Sequence, residues 1–153
     1  MTDSFAIHLP PGFLAEVVAA SILGGHLGAH NKGHDLVDAN SQRVEVKSCS
    51  LKPAKNPKFL EIATGESSPG DCESLVFVST SGSTAEATAQ ARMSEGVLSV
   101  DLSVKALRRG DQIRAYRLDV KDFRRLEGYR RSEKGERVTW RVPIAACVEL
   151  SLK

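Results

Sequence analysis

The segment from Asp35 to Ser48 constrains the fold more than any other part of this chain, because two apolar runs flank a five-residue stretch of turn formers. Asp35-Leu36-Val37 leads into Asp38-Ala39-Asn40-Ser41-Gln42, and Arg43-Val44-Glu45-Val46-Lys47-Ser48 follows. Successive side chains of a strand point to opposite faces, so Glu45 and Lys47 share one face while Val44 and Val46 enter the opposite layer. The first face is expected to carry chemistry and the second to be core. The turn formers between the runs predict an antiparallel hairpin, which returns Glu45 to the neighbourhood of Asp35. Leu36, Val37, Val44 and Val46 make both strands apolar enough for the interior of a sheet, where charge is uncommon without a task.

Two carboxylates on a rigid hairpin form a hard oxygen site suited to Mg²⁺, which keeps several waters and accepts phosphate oxygens in its remaining positions. A lysine beside that ion is placed to hold an attacking water as the ammonium, or to deprotonate it as the neutral amine. Phosphodiester hydrolysis asks for this combination: charge neutralisation on the phosphate, a metal-polarised water and a nearby cation.

Asp35, nine intervening residues, then Glu45-Val46-Lys47 resembles the PD-(D/E)XK nuclease superfamily, over residues 12–50 of this chain. The resemblance implies a restriction-endonuclease-like α/β fold, a mixed central sheet flanked by helices. It implies that Asp35 and Glu45 bind Mg²⁺, with Mn²⁺ able to substitute, that Lys47 assists the water, and that Glu16 on the preceding helix completes the site. The chain departs from the family's pattern at His34, which stands where the name motif has proline. DNA is the implied substrate. A homodimer is expected, since a two-fold axis sets identical sites on the two strands of a duplex. Ser48, Lys52, Lys55, Lys58, His34 and Asn31, around the motif, are the candidate nucleic-acid contacts.

Other readings remain open beside this one. Glu45 and Lys47 also fit an ordinary pair on an edge strand, with Asp35 and Asp38 as turn residues. A non-catalytic nucleic-acid-binding module that keeps the fold, or a nuclease-fold subunit of a larger complex, would use the same scaffold. His26, His30 and His34, spaced four apart, would stack on a helix as a transition-metal site, but Gly28 and Gly33 argue against that helix.

The 153 residues, 41% hydrophobic, suffice for one core and suggest a single domain spanning 1–153. The net charge of +2 is small, yet Arg108, Arg109, Arg124, Arg125, Arg130, Arg131, Lys134, Arg137 and Arg141 crowd the later part of the chain. Such a run reads either as a phosphate-backbone track or as a solvated face. The three cysteines, Cys49, Cys72 and Cys147, lack any short pairing and support neither a disulfide framework nor a thiolate zinc site. No basic leader precedes an apolar run, and the segment Phe13 to Leu23 carries Glu16 and is too short to cross a bilayer, so a cytoplasmic protein without membrane contact is expected. Nothing suggests a nucleotide cofactor.

Periodicity predicts a helix over Phe13 to Leu23 ending at Gly24-Gly25, strands at Phe59–Ala63 and Ser74–Ser79, and a helix over Ser83–Met93. Beyond it, a short helix is expected over Asp101–Arg109 and a strand over Ile113–Leu118. A further short helix over Asp119–Leu126 and one or two closing strands over Val138–Leu150 complete the chain.

Overall fold

Ser74-Leu75-Val76-Phe77-Val78-Ser79 is buried at all six positions, as a strand covered on both faces requires. The computed structural model describes residues 2–7, 11–27, 33–49, 58–64, 69–79, 85–106, 114–126, 130–134 and 137–150. The elements are β1 Thr2–Ile7, α1 Pro11–Leu23, β2 His26–Leu27, β3 Leu36–Val37, β4 Arg43–Ser48, β5 Phe59–Thr64, β6 Ser74–Ser79, β7 Ala85–Ser94, β8 Val97–Ala106 and β9 Arg114–Asp119. They continue with α2 Val120–Arg125, β10 Arg130–Lys134, β11 Arg137–Pro143, a 3₁₀ turn Ile144–Ala146 and β12 Val148–Leu150. The result is an α/β arrangement with few helices around a mixed sheet.

That sheet has six strands in the order β12-β9-β6-β4-β3-β2. β4 and β6 run parallel, with Glu45 beside Leu75 and Lys47 beside Phe77, and the other pairs are antiparallel. One face is covered by α1, whose Ala15, Val18 and Ala19 recur at helical spacing and pack on Leu36, Val44, Val46, Val76, Val78 and Ala115. α1 stops at Gly24, which adopts φ +64° while the Gly25 N–H returns to the Ala20 carbonyl at 3.1 Å. No helix among the described residues is long and apolar enough to cross a membrane.

The other face is covered by a second sheet, of order β10-β11-β5, together with α2. Leu75, Phe77, Tyr116 and Leu118 of the first sheet meet Leu60, Ile62, Val138, Trp140 and Val142 of the second, with Val120 and Phe123 from α2. The face that carries Glu45 and Lys47 is therefore a core layer too. The expectation of one chemical face and one apolar face is corrected: the charged pair is set into a packed interface between sheets.

Two expected helices are strands. The hydroxyl cap at Ser83 predicts a helix over Ser83–Met93, but β7 spans Ala85–Ser94 and pairs with β8 and β1. Its Ala-Glu-Ala-Thr-Ala-Gln-Ala-Arg alternates with period two, and that pattern overrides alanine's helix propensity. Asp101–Arg109 likewise falls on β8 as far as Ala106, where Leu98, Val100, Leu102 and Val104 alternate with Ser99, Asp101, Ser103 and Lys105. Glu95 and Gly96 join the two strands at φ 50° and 75°, the left-handed pair of a two-residue hairpin. The predicted α1, β5, β6, β9, α2, β11 and β12 are all present within a residue or two.

Close backbone approach fixes the entry to the hairpin. Gly33, at φ +73°, lies against Gly70, and a Cβ on Gly70 would collide with the Gly33 carbonyl oxygen. Gly70→Ala is expected to cost about 1–3 kcal/mol, because main chain has to move rather than a flexible side chain. A denaturant titration of the purified variant checks it; a midpoint equal to wild type would remove the claim of tight approach.

Candidate active site

The hairpin is held at its tip by Asp38. Its Oδ1 accepts the N–H groups of Asn40 and Gln42, each at 2.9 Å, and Ser41 takes φ 63° between them. Oδ2 receives Arg117 Nη2 at 2.9 Å, and the same nitrogen donates to Gln42 Oε1 at 2.8 Å, which ties the turn to β9. Burial pushes the Asp38 carboxyl up, but the Gln42, Arg117 and Asn40 hydrogen bonds together outweigh it and hold the group below its ordinary value. A carboxyl depressed in the folded state stabilises fully above its unfolded value, near 3.8, and that contribution fades as pH falls towards the lower folded value. Asp38→Asn is therefore expected to cost about 1–3 kcal/mol at neutral pH. Stability curves of the two proteins should converge below about pH 4; a gap that persists unchanged at lower pH would contradict this account.

Asp35 behaves differently from Asp38, although both are acids beside the turn. Its N–H donates to the Val44 carbonyl at 2.9 Å, while in the strand register Val44 faces Leu36. Two residues thus oppose one, the arrangement of a bulge. β3 pairs with β4 only at Val44 and Arg43, and the next N–H of β4 that points this way, that of Val46, donates instead to Asp35 Oδ2 at 2.7 Å. The Asp35 carboxylate stands where a continuing strand would have put a carbonyl. It sits against the backbone link between Glu45 and Lys47.

Glu45 and Lys47 form an ion pair, Nζ to Oε1 at 2.7 Å, with side chains 9% and 14% exposed. Lys47 Nζ lies 6.0 Å from the centroid of the Trp140 ring, which roofs it from the second sheet. A carboxylate this deep needs its counter-charge, since removing one partner of a buried pair costs about 3–5 kcal/mol. At the far side of Glu45 lies Cys72, whose thiol burial and then the Glu45 charge push up to about 11. Burial also pushes Cys49 to about 12 and Cys147 to about 11, so all three free thiols stay protonated at neutral pH. Arg43 fastens the start of β4 to the segment before β6, with Nη2 2.6 Å from Glu73 Oε1 and Nη1 2.7 Å from Asp71 Oδ2.

Glu45 and Lys47 are thus paired with each other, and Asp35 is joined to the backbone of the residue between them. His34 is half-buried next to Asp35, Ser48 is exposed at the end of β4, and Lys58 is exposed just before β5. Glu16 is half-buried on α1, whose inward residues occupy the layer opposite the one that Glu45 and Lys47 enter. Asn31, Lys52 and Lys55 lie outside the described residues, as does His30 of the histidine series. His26 is in β2, so the three histidines do not share a helix. Among the described residues no group of three or more His, Cys, Asp or Glu side chains is gathered at metal-binding spacing. Neither Trp140 over Lys47 nor Cys72 against Glu45 is foreseen from the sequence; alternation of Val138, Trp140 and Val142 marks a strand, but not the layer it covers. Compared with protein-family models, curated proteins and solved structures, the chain matches none.

Proposed function

We infer that this protein is a metal-dependent endonuclease of the PD-(D/E)XK type, with a restriction-endonuclease-like core, that hydrolyses DNA phosphodiester bonds. The observation that carries the reading is the Asp35 carboxylate seated on the N–H of Val46, the residue between the paired Glu45 and Lys47. A bulged hairpin seldom spends a carboxylate on its own ladder without gain, and bulges recur where a side chain is re-aimed at a site. Two carboxylates fit Mg²⁺, which is satisfied by one or two protein oxygens plus water and substrate phosphate. Asp35 and Glu45 would hold that ion, which supplies charge neutralisation and a more acidic water. Lys47 holds an ammonium next to Glu45, where it can orient the water and offset negative charge developing on the phosphate. Trp140 keeps bulk water from the inner side of that ammonium.

A second reading follows from the ion pair itself. Lys47 already neutralises Glu45, so the same set would be structural in a DNA-binding module or complex subunit that no longer cuts. Incubation with supercoiled plasmid and a labelled branched DNA in Mg²⁺, Mn²⁺ and EDTA decides between them, with Glu45→Gln in parallel to reveal contaminating nuclease. Metal-dependent nicking lost in Glu45→Gln supports the nuclease; binding of both DNAs without nicking, at any metal concentration, supports the module.

A further inference from the structure

A cleft of about 390 Å³ lies between α2 and the segments that lead into β4 and β6. α2 forms one wall. Its Val120 and Phe123, three residues apart, are buried in the layer between the sheets. Lys121 and Arg124, each one position further on, therefore share a neighbouring stripe of the helix. Both are exposed and both line the cleft. Neither makes an ion pair or a hydrogen bond among the described residues.

The remaining polar groups of the lining are of two kinds. Glu73 is neutralised by Arg43, whose Nη2 lies 2.6 Å from Oε1 and whose N–H donates to Oε2 at 2.6 Å. Gln42 gives its Oε1 to Arg117 at 2.8 Å and keeps its amide N–H groups as donors. Asp119 also lines the cleft, and its carboxylate does not cap α2. An occupant thus meets two cations, a carboxylate that accepts and an amide that donates. A bare anion would use the cations alone. A nucleotide uses all four, with its phosphate on the cations and the edge of its base on the carboxylate and amide. The volume falls at the small end of the roughly 300–1,000 Å³ of ligand pockets, a size for one nucleotide rather than a duplex.

Cys72 connects this cleft to the charged pair on β4. It lines the cleft, and its thiol is raised first by burial and then by the Glu45 charge, while the Glu45 N–H acts in the opposite direction. Cys72 is thus shared between the cleft and Glu45.

We propose that this cleft is a pocket for one nucleotide of a nucleic-acid strand, with Lys121 and Arg124 on its phosphate and Asp119 and Gln42 on its base. The strand is taken from the nuclease reading, and the proposal rests on that reading to this extent; the chemistry of the pocket is its own and needs no metal.

Isothermal titration calorimetry in EDTA tests it, with the four deoxynucleoside 5′-monophosphates, inorganic phosphate and a single-stranded DNA hexamer as probes. Wild type is expected to bind at least one nucleotide more tightly than inorganic phosphate, and the hexamer more tightly than that nucleotide. Lys121→Gln and Arg124→Gln should each weaken nucleotide binding roughly tenfold or more, the effect of losing one hydrogen bond to a charged group. Arg125→Gln removes the same charge from the same helix outside the cleft and should leave binding unchanged. All three should melt with wild type, since exposed side chains away from packing add little to stability. A wild type that binds none of the probes would overturn the proposal, as would inorganic phosphate bound as tightly as any nucleotide. An equal loss from Arg125→Gln would do the same, since net charge rather than the cleft would then decide. Nucleotides bound more tightly than the hexamer would overturn the assignment to a strand. The nuclease reading fails separately: binding in the pocket without cutting in Mg²⁺ or Mn²⁺ sinks that reading alone, while metal-dependent cutting with an unaltered KM in Lys121→Gln and Arg124→Gln sinks the pocket alone.

Discussion

Lys47→Ala is expected to slow Mg²⁺-dependent DNA cleavage by about a hundredfold to a thousandfold, the usual loss when one preorganised group that stabilises developing charge is removed. The same substitution has a consequence for folding that separates a catalytic lysine from a structural one. Glu45 is 9% exposed and its partner is 2.7 Å away, so deleting the ammonium leaves a buried carboxylate uncompensated. In EDTA the variant should lose about 3–5 kcal/mol. If Asp35 and Glu45 hold a divalent cation, that cation replaces the missing charge, and Mg²⁺ at a hundred times its dissociation constant returns about 2.7 kcal/mol. Thermal melts of Lys47→Ala with and without Mg²⁺, set against the same pair for wild type, read this directly. A larger Mg²⁺-induced rise in the variant is the expected result. Equal loss of stability in both buffers, with no cleavage by wild type, would make the pair structural and end the nuclease reading.

What the sequence made legible was whatever is written in local periodicity. Val44, Glu45, Val46 and Lys47 alternate, and that places Glu45 with Lys47 on one face and Val44 with Val46 on the other, but not what covers either face. β6 was evident from an uninterrupted apolar run, and α1 from apolar residues at helical spacing closed by Gly24-Gly25. From Ala85 to Ser94 two local signals disagree: alanine favours a helix, the alternation a strand, and pairing with β1 and β8 decides for the strand. Asp35 could be nominated as an acid near Glu45, but its bond to the Val46 N–H depends on β3 ending after two residues, a property of the register rather than of composition. The burial of Glu45 and Lys47 was illegible for a further reason. It is imposed by β11, which joins β5 from far along the chain, and no window of sequence reports which layer a distant strand will cover.

That distant cover sets the second large effect. Trp140 is fully buried, packs its ring 5.1 Å from that of Phe123 at 51°, and stands over Lys47. Trp140→Ala is expected to cost about 3–5 kcal/mol, a lowering of the melting temperature of roughly 6–20 °C for a domain of this size. Against a total stability of about 5–15 kcal/mol, the variant keeps its fold only narrowly, so a milder replacement is needed to reach function. Trp140→Phe keeps an aromatic ring against Phe123 and also deletes the indole N–H, which is buried without a hydrogen-bond partner among the described residues. Removing an unpaired buried donor recovers about 1–3 kcal/mol, which offsets part of the lost packing. Trp140→Phe should therefore melt much closer to wild type than Trp140→Ala. If Trp140 also positions the ammonium, the cleavage rate of Trp140→Phe falls while its stability holds, because the smaller ring supports Lys47 less closely. Should both variants retain wild-type stability, the layer between the two sheets is not the core described here, and the roof over Glu45 and Lys47 goes with it.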